Sequence, residues 1–142
     1  MAGTINFFTE DITFDLKQKR KVRAWIQEVI SKSKCTHNDL NIVFCSDAFL
    51  LEINTNFLHH DYYTDIITFS DSSQKQLIAG DILISIERVR ENAGQLKIPF
   101  VDELHRVMIH GVLHLIGYKD KSKADKVVMR KMEDKMLRIR LF

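Results

Sequence analysis

The chain has 142 residues, 45% apolar and 28% charged, with a formal net charge of +2. That balance belongs to one globular domain, long enough to bury roughly two-thirds of its unfolded surface. It excludes a disordered polyelectrolyte and a disulfide scaffold, since there are only two cysteines. No stretch approaches the roughly 20 consecutive apolar residues of a membrane span. The start, MAGTINFFTEDITFD, lacks the basic and long apolar segments of a secretion signal. Free buried thiols at Cys35 and Cys45, in a reducing cytoplasm, are the expectation.

In chain order, Ile5 to Phe8 reads as a short strand. Leu16 to Ser33 reads as a helix with Val22, Trp25, Ile26, Val29 and Ile30 on one face. Leu40 to Cys45 is a β-branched run and reads as a strand. Ser46 or Asp47 caps a helix carrying Phe49, Leu50, Ile53 and Phe57. Ile66 to Phe69 and Asp81 to Ile86 read as strands separated by a polar loop around Asp71 to Lys75. Glu87 to Leu96 is a short helix, and the sole proline, Pro99, sits in the connection after it. A helix beginning at Phe100 or Asp102 runs to Ile116, and Lys123 to Ile139 forms a last amphipathic one. No repeat or linker divides the chain, so residues 1–142 form a single α+β domain: a small mixed sheet with packed helices.

Charge is distributed unevenly. Lys119 to Arg140 holds nine Lys or Arg against four Asp or Glu, and Asp15 to Lys34 seven against two. Such clusters can form a footprint for phosphates, although charge by itself reads first as solvated helix faces.

The helix after Pro99 carries Leu104, Val107, Met108, Ile109, Val112, Leu113, Leu115 and Ile116. It is apolar on nearly every side and belongs in the core. His110 and His114 interrupt it four residues apart, which stacks the two imidazoles on one face, within reach of one ion. Gly117 supplies a helix stop, after which Asp120 can return toward them. The pattern His-x-x-x-His-x-x-Gly-x-x-Asp is similar to the zinc stretch of the metzincin peptidases, with a carboxylate as third ligand. Three protein ligands leave a fourth position for water, as in catalytic rather than structural sites. Zinc suits this donor set; nickel, manganese and iron stay open by residue type. Gly111 replaces the glutamate that serves as general base in zincins, which argues against a conventional peptidase.

With this stretch in hand, the chain resembles the YbeY family of bacterial metallo-endoribonucleases. The family's His-Gly-x-Leu-His-Leu-x-Gly-Tyr-Asp-His corresponds to His110-Gly111-Val112-Leu113-His114-Leu115-Ile116-Gly117-Tyr118-Lys119-Asp120. Its Thr-Asp-Val-Leu-Ser-Phe corresponds to Thr64-Asp65-Ile66-Ile67-Thr68-Phe69, and its Gly-Asp-Ile to Gly80-Asp81-Ile82. The resemblance implies an α+β fold and one catalytic zinc held by His110, His114 and Asp120. It implies single-stranded RNA as substrate, in the maturation of the 16S ribosomal RNA 3′ end and ribosome quality control, with a ribosomal subunit as partner.

Two departures stand out. Asp120 occupies the family's third histidine position and Lys119 its aspartate; a carboxylate still binds zinc but adds negative charge. Leu58 stands where many relatives carry an arginine that could clamp a phosphate, followed by His59 and His60, and Tyr63 replaces a proline. The histidine pair reads as a polar surface turn. Lys119, Lys121, Lys123 and Lys126 are candidate phosphate contacts. The general base stays unassigned: Asp102 and Glu103 lie on earlier turns of the same helix, Glu103 about 10 Å from His110 along its axis, where it favours the helix start. The rival functions are a metallopeptidase-like hydrolase and a ribosome-associated binding protein with a non-catalytic metal. Oligomeric state is not legible.

Overall fold

The alternation of β-branched runs and amphipathic segments resolves, in a computed structural model that describes residues 3–142, into a four-stranded sheet with helices on both faces. The elements are β1 (Ile5–Thr9), α1 (Lys19–Lys32), β2 (Thr36–Cys45), α2 (Asp47–Leu58), β3 (Ile66–Ser70), β4 (Leu77–Ser85), α3 (Ile86–Leu96), α4 (Phe100–Ile116) and α5 (Lys123–Arg138). Strand order is β1-β2-β4-β3. β1, β2 and β4 run parallel, and β3 closes one edge antiparallel to β4. The sheet is therefore mixed, and the fold is α+β.

Period-two alternation divides the strands between two cores. Leu40, Ile42, Phe44, Ile82 and Ile84 face the larger one, shared with α1 and α4. Val43, Cys45, Leu83, Ile67 and Phe69 point the other way, toward Leu50, Phe49 and Ile53 of α2. The five α1 residues expected on one face are the five buried ones. Across β1, β2 and β4, register partners Asn6, Asn41 and Asp81 form a polar ladder, with both side-chain hydrogen bonds at 3.1 Å.

The main departures from the boundaries read in the sequence have local reasons. α1 begins at Lys19 rather than Leu16 because Gln18 takes a left-handed conformation (φ 57°). β2 begins at Thr36 rather than Leu40: Thr36 and His37 pair with Leu77 and Ile78 of β4, followed by an irregularity before Leu40. β4 likewise begins at Leu77 rather than Asp81, and Gly80 (φ 140°) lies inside it. A Cβ at Gly80 would sit 1.9 Å from the Phe69 carbonyl oxygen, so the close β3–β4 approach requires glycine. Ser85 ends the strand and caps α3, accepting from the Arg88 N–H, so Ile86 is helical. Ser46, not Asp47, caps α2. Both cysteines are free; Cys45 is buried, which pushes its thiol up to about 12, whereas Cys35 is only partly buried.

At the far side of the larger core, His105 is 4% exposed between Trp25 and Phe142. Its Nδ1 lies 2.7 Å from Nη1 of Arg140, a group that can only donate, so Nδ1 accepts and the ring is neutral. Burial, reinforced by the Arg140 charge, holds His105 at about 4, with Asp102 opposing weakly. In the unfolded chain this histidine returns to its ordinary value near 6.5. Falling pH therefore protonates the unfolded state first, and native stability declines from about pH 6.5 to 4, by up to about 3 kcal/mol. Urea midpoints measured across that interval are expected to fall in the wild type and to fall less in His105→Phe; identical slopes would contradict the assignment.

Candidate active site

The site is built where α4 crosses β3 and β4. Gly111 lets the helix lie close to the sheet: a Cβ there would meet Ile66 Cδ1 at 2.8 Å and Ile82 Cγ2 at 2.9 Å. His110, the preceding residue, sits half-buried at the edge of this contact, and His114, one turn further on, is exposed. The helix ends at Gly117, whose φ of 130° only glycine adopts readily. The N–H groups of Gly117 and Tyr118 both donate to the Leu113 carbonyl, turning the chain back. Asp120 thereby returns to within 3.2 Å of His110, Oδ2 to Nε2.

The other nitrogen of His110 is engaged as well. Nδ1 lies 2.7 Å from Oε2 of Glu133, on α5. Glu133 is buried, and its second oxygen accepts from Nη1 of Arg106 at 2.9 Å, while Arg106 Nη2 reaches Asp134 at 2.7 Å. Burial alone would pull His110 down, but the Glu133 hydrogen bond and the charges of Glu133, Asp120 and Asp65 raise it above its ordinary value. Burial would push Glu133 up, and the hydrogen bonds from His110 and Arg106 bring it below the usual carboxylate range. Both ring nitrogens of His110 thus face carboxylates, Nδ1 toward Glu133 and Nε2 toward Asp120 at the cleft.

The three residues singled out in the sequence line one open cleft of about 410 Å³, together with Asn54, Leu58, His60, Tyr62, Thr64 and Lys121. They are not equally placed. Among the described residues, no three His, Cys, Asp or Glu side chains converge on one point. His110 Nε2 and Asp120 Oδ2 do, and their separation is close to the roughly 3.3 Å edge of a tetrahedron with 2.0–2.1 Å metal bonds. The donor chemistry of two imidazoles and one carboxylate is of the kind that fits a transition metal, with His114 exposed on the same cleft.

Behind His110 lies a smaller polar pocket lined by Asp65, Ile66, Glu103, Arg106, Val107, Arg130 and Glu133. Glu103 corrects the sequence reading. Although in the first turn of α4, it is only 5% exposed, and its Oε1 has no hydrogen-bond partner. Burial raises its carboxyl, and the charge of Asp65 raises it further. Desolvation likewise raises Asp65, whose Oδ2 accepts from Asn92 at 3.3 Å. Glu133 was absent from the sequence reading, yet it left a signal. It shares the buried face of α5 with Met129 and Met136, and a carboxylate at such a position requires a partner.

Residues 4–139 match the model of the endoribonuclease YbeY family. The chain belongs to this family. A YbeY endoribonuclease of Cytophaga hutchinsonii is 50% identical over 139 residues, 98% of this chain and 97% of the relative. One of Flavobacterium psychrophilum is 49% identical over 132 residues, 93% and 94% of the two chains. The solution structure of a Thermotoga maritima protein superposes with a TM-score of 0.66 at 25% identity, covering 94% of this chain and 87% of that one.

In this YbeY-family chain a side chain at position 111 would press on the ends of Ile66 and Ile82, which would have to shift to admit it. Of the remaining candidates, Lys119, Lys121, Lys123 and Lys126 are all exposed. Lys121 lines the cleft, and Lys126 lines an adjoining hollow with His110, Asp120 and Arg130. His59 ends α2 in a left-handed conformation, and His60 faces the cleft. Gly111→Ala is expected to destabilise the fold by about 1–3 kcal/mol through overpacking, while leaving the Gly117 turn intact. Thermal unfolding of the variant beside Gly94→Ala checks this; nothing lies within 4 Å of a Cβ at Gly94.

Proposed function

We propose that this hydrolase is a zinc-dependent, single-strand-specific endoribonuclease of ribosomal RNA maturation, acting at the 16S 3′ end and in ribosome quality control. The 3.2 Å approach of His110 Nε2 and Asp120 Oδ2 on the wall of a basic-rimmed cleft carries the reading. Membership of a family whose curated relatives are named endoribonucleases supplies the reaction class. His110, His114 and Asp120 would hold the ion, which supplies Lewis-acid stabilisation of charge on phosphoryl oxygens and acidifies a water.

The protein's own residues divide the remaining work. Glu133 accepts from His110 Nδ1 and so keeps Nε2 turned toward the cleft, as carboxylates behind ligating histidines do. Arg106 holds Glu133 in place from the far side. Lys121, Lys126 and Arg130 lie along the cleft and its neighbour, where they meet phosphates of a bound strand. The carboxylate of Asp120 adds negative charge beside the ion, making it a weaker Lewis acid than a set of three imidazoles would. Among the described residues no helix is long and apolar enough to cross a membrane.

Two alternatives have opposite signatures. A metallopeptidase-like hydrolase would need a base that Gly111 cannot supply. A ribosome-associated protein with a non-catalytic metal would unfold on chelation, since structural zinc contributes directly to folding free energy.

Metal content by mass spectrometry is expected to be near one zinc per chain in the wild type and lost in His114→Ala, with the fold retained. Glu133→Gln is expected to weaken zinc affinity about 10- to 100-fold. Single-stranded RNA should be cut by the loaded wild type and casein left intact. A wild type that takes up no metal when zinc is supplied would overturn the zinc reading; cut casein and uncut RNA would overturn the endoribonuclease.

A further inference from the structure

We propose that His60 and Tyr62 form a stacking site for one unpaired base of the RNA strand, beside the metal-binding wall of the cleft. The inference rests on the RNA-cleaving reading above and assigns it a subsite. The two rings are nearly parallel, with centroids 5.1 Å and planes 18° apart. The Tyr62 hydroxyl and His60 Nδ1 are 3.0 Å apart, a second contact that fixes the stacked pair. Both line the same cleft as His110, His114, Asp120 and Lys121. Tyr62 is nevertheless 56% exposed.

The backbone beneath the rings is fastened from below. Asn54, only 2% exposed, donates from Nδ2 to the Tyr62 carbonyl at 2.9 Å. The His60 N–H donates to the Asn54 carbonyl at 3.0 Å, and Thr55 Oγ1 donates to the His60 carbonyl at 3.3 Å. On the far side, Tyr63 is occupied by the Arg88 guanidinium, 5.1 Å from its ring centroid. A buried asparagine is thus used to hold an aromatic pair in water, an arrangement that contributes little to the core. A fixed, solvent-facing π-surface next to basic side chains is what single-stranded nucleic acids stack on, largely irrespective of sequence.

The placement also accounts for Leu58. That residue lines the same cleft and carries no charge toward a phosphate. In this chain the grip at that wall comes from stacking, and the charge comes from Lys121 in the cleft and Lys126 and Arg130 in the adjoining hollow. Stacking is insensitive to salt, whereas lysine contacts weaken as salt rises.

Binding of an uncleavable 2′-O-methyl single-stranded oligonucleotide to the full chain, followed by fluorescence anisotropy, tests the site. Tyr62→Ala is expected to weaken binding about tenfold at both low and high salt, and Tyr62→Phe to stay within about twofold of the wild type. Tyr62→Leu, similar in bulk but without a π-face, should behave like Tyr62→Ala. The wild type gives an independent readout needing no variant: scanning one abasic nucleotide along the strand should find a position costing about tenfold. At that position the difference between wild type and Tyr62→Ala should vanish. A wild type that binds the strand equally well with every abasic probe, or a Tyr62→Ala that folds and binds like wild type, overturns the stacking site alone. A wild type that binds no single-stranded RNA overturns the endoribonuclease reading together with it.

Discussion

The contact between α4 and the sheet at Gly111 sets the position of everything in the site. Because no side chain intervenes, the helix backbone approaches Ile66 and Ile82 closely enough for their side chains to fill the space a Cβ would take. That depth of seating leaves Val107, Met108, Val112 and Leu113 in the core and brings His110 to its edge. His114, one turn later, clears the sheet and meets solvent. At the position where zincins carry their glutamate, this chain has a glycine buried against isoleucines. Packing and chemistry are linked here by one missing methyl group.

Around His110 the interior is unusually charged. Glu133, Arg106 and Asp134 form a chain of hydrogen bonds from α5 across to α4, and Asp65 and Glu103 add two carboxylates behind it. Charged groups in a low-dielectric setting are costly unless each finds a partner. Glu133 finds two, and is held ionised. Glu103 has an oxygen with none, and its carboxyl rises instead. The pocket therefore contains one carboxylate fixed in charge and two that take protons more readily than usual. This difference between neighbouring acids is the condition under which separate roles can be assigned to them.

The opposite wall of the cleft is less charged than its family resemblance suggests. Leu58 offers no cation, the His59 backbone ends α2 in a left-handed conformation, and the loop that follows is anchored through Asn54 rather than through a proline. Polar anchoring beneath holds the stacked His60–Tyr62 pair at this wall. The basic residues Lys121, Lys126 and Arg130 lie just past α4 and along α5. A strand seated between them would meet phosphate contacts on one side and ring faces on the other.

Much of this was legible before any coordinates. The helix face of α1, the buried α4 with histidines one turn apart and the stop at Gly117 all follow from spacing, because helical period and glycine's tolerance of positive φ are local properties. The α+β class followed from the same periodicities. Strand starts at Thr36 and Leu77 did not, since their pairing comes from a neighbour far along the chain rather than from their own residues. Nor did Glu133, twenty-three residues from the histidine it holds, or the burial of Glu103, which its place in a first helical turn disguised. The histidine spacing, the glycine stop and the returning carboxylate were written in the sequence. Which carboxylates stand behind His110 and which rings face the cleft were decided only by tertiary packing, because each depends on elements brought together through the sheet.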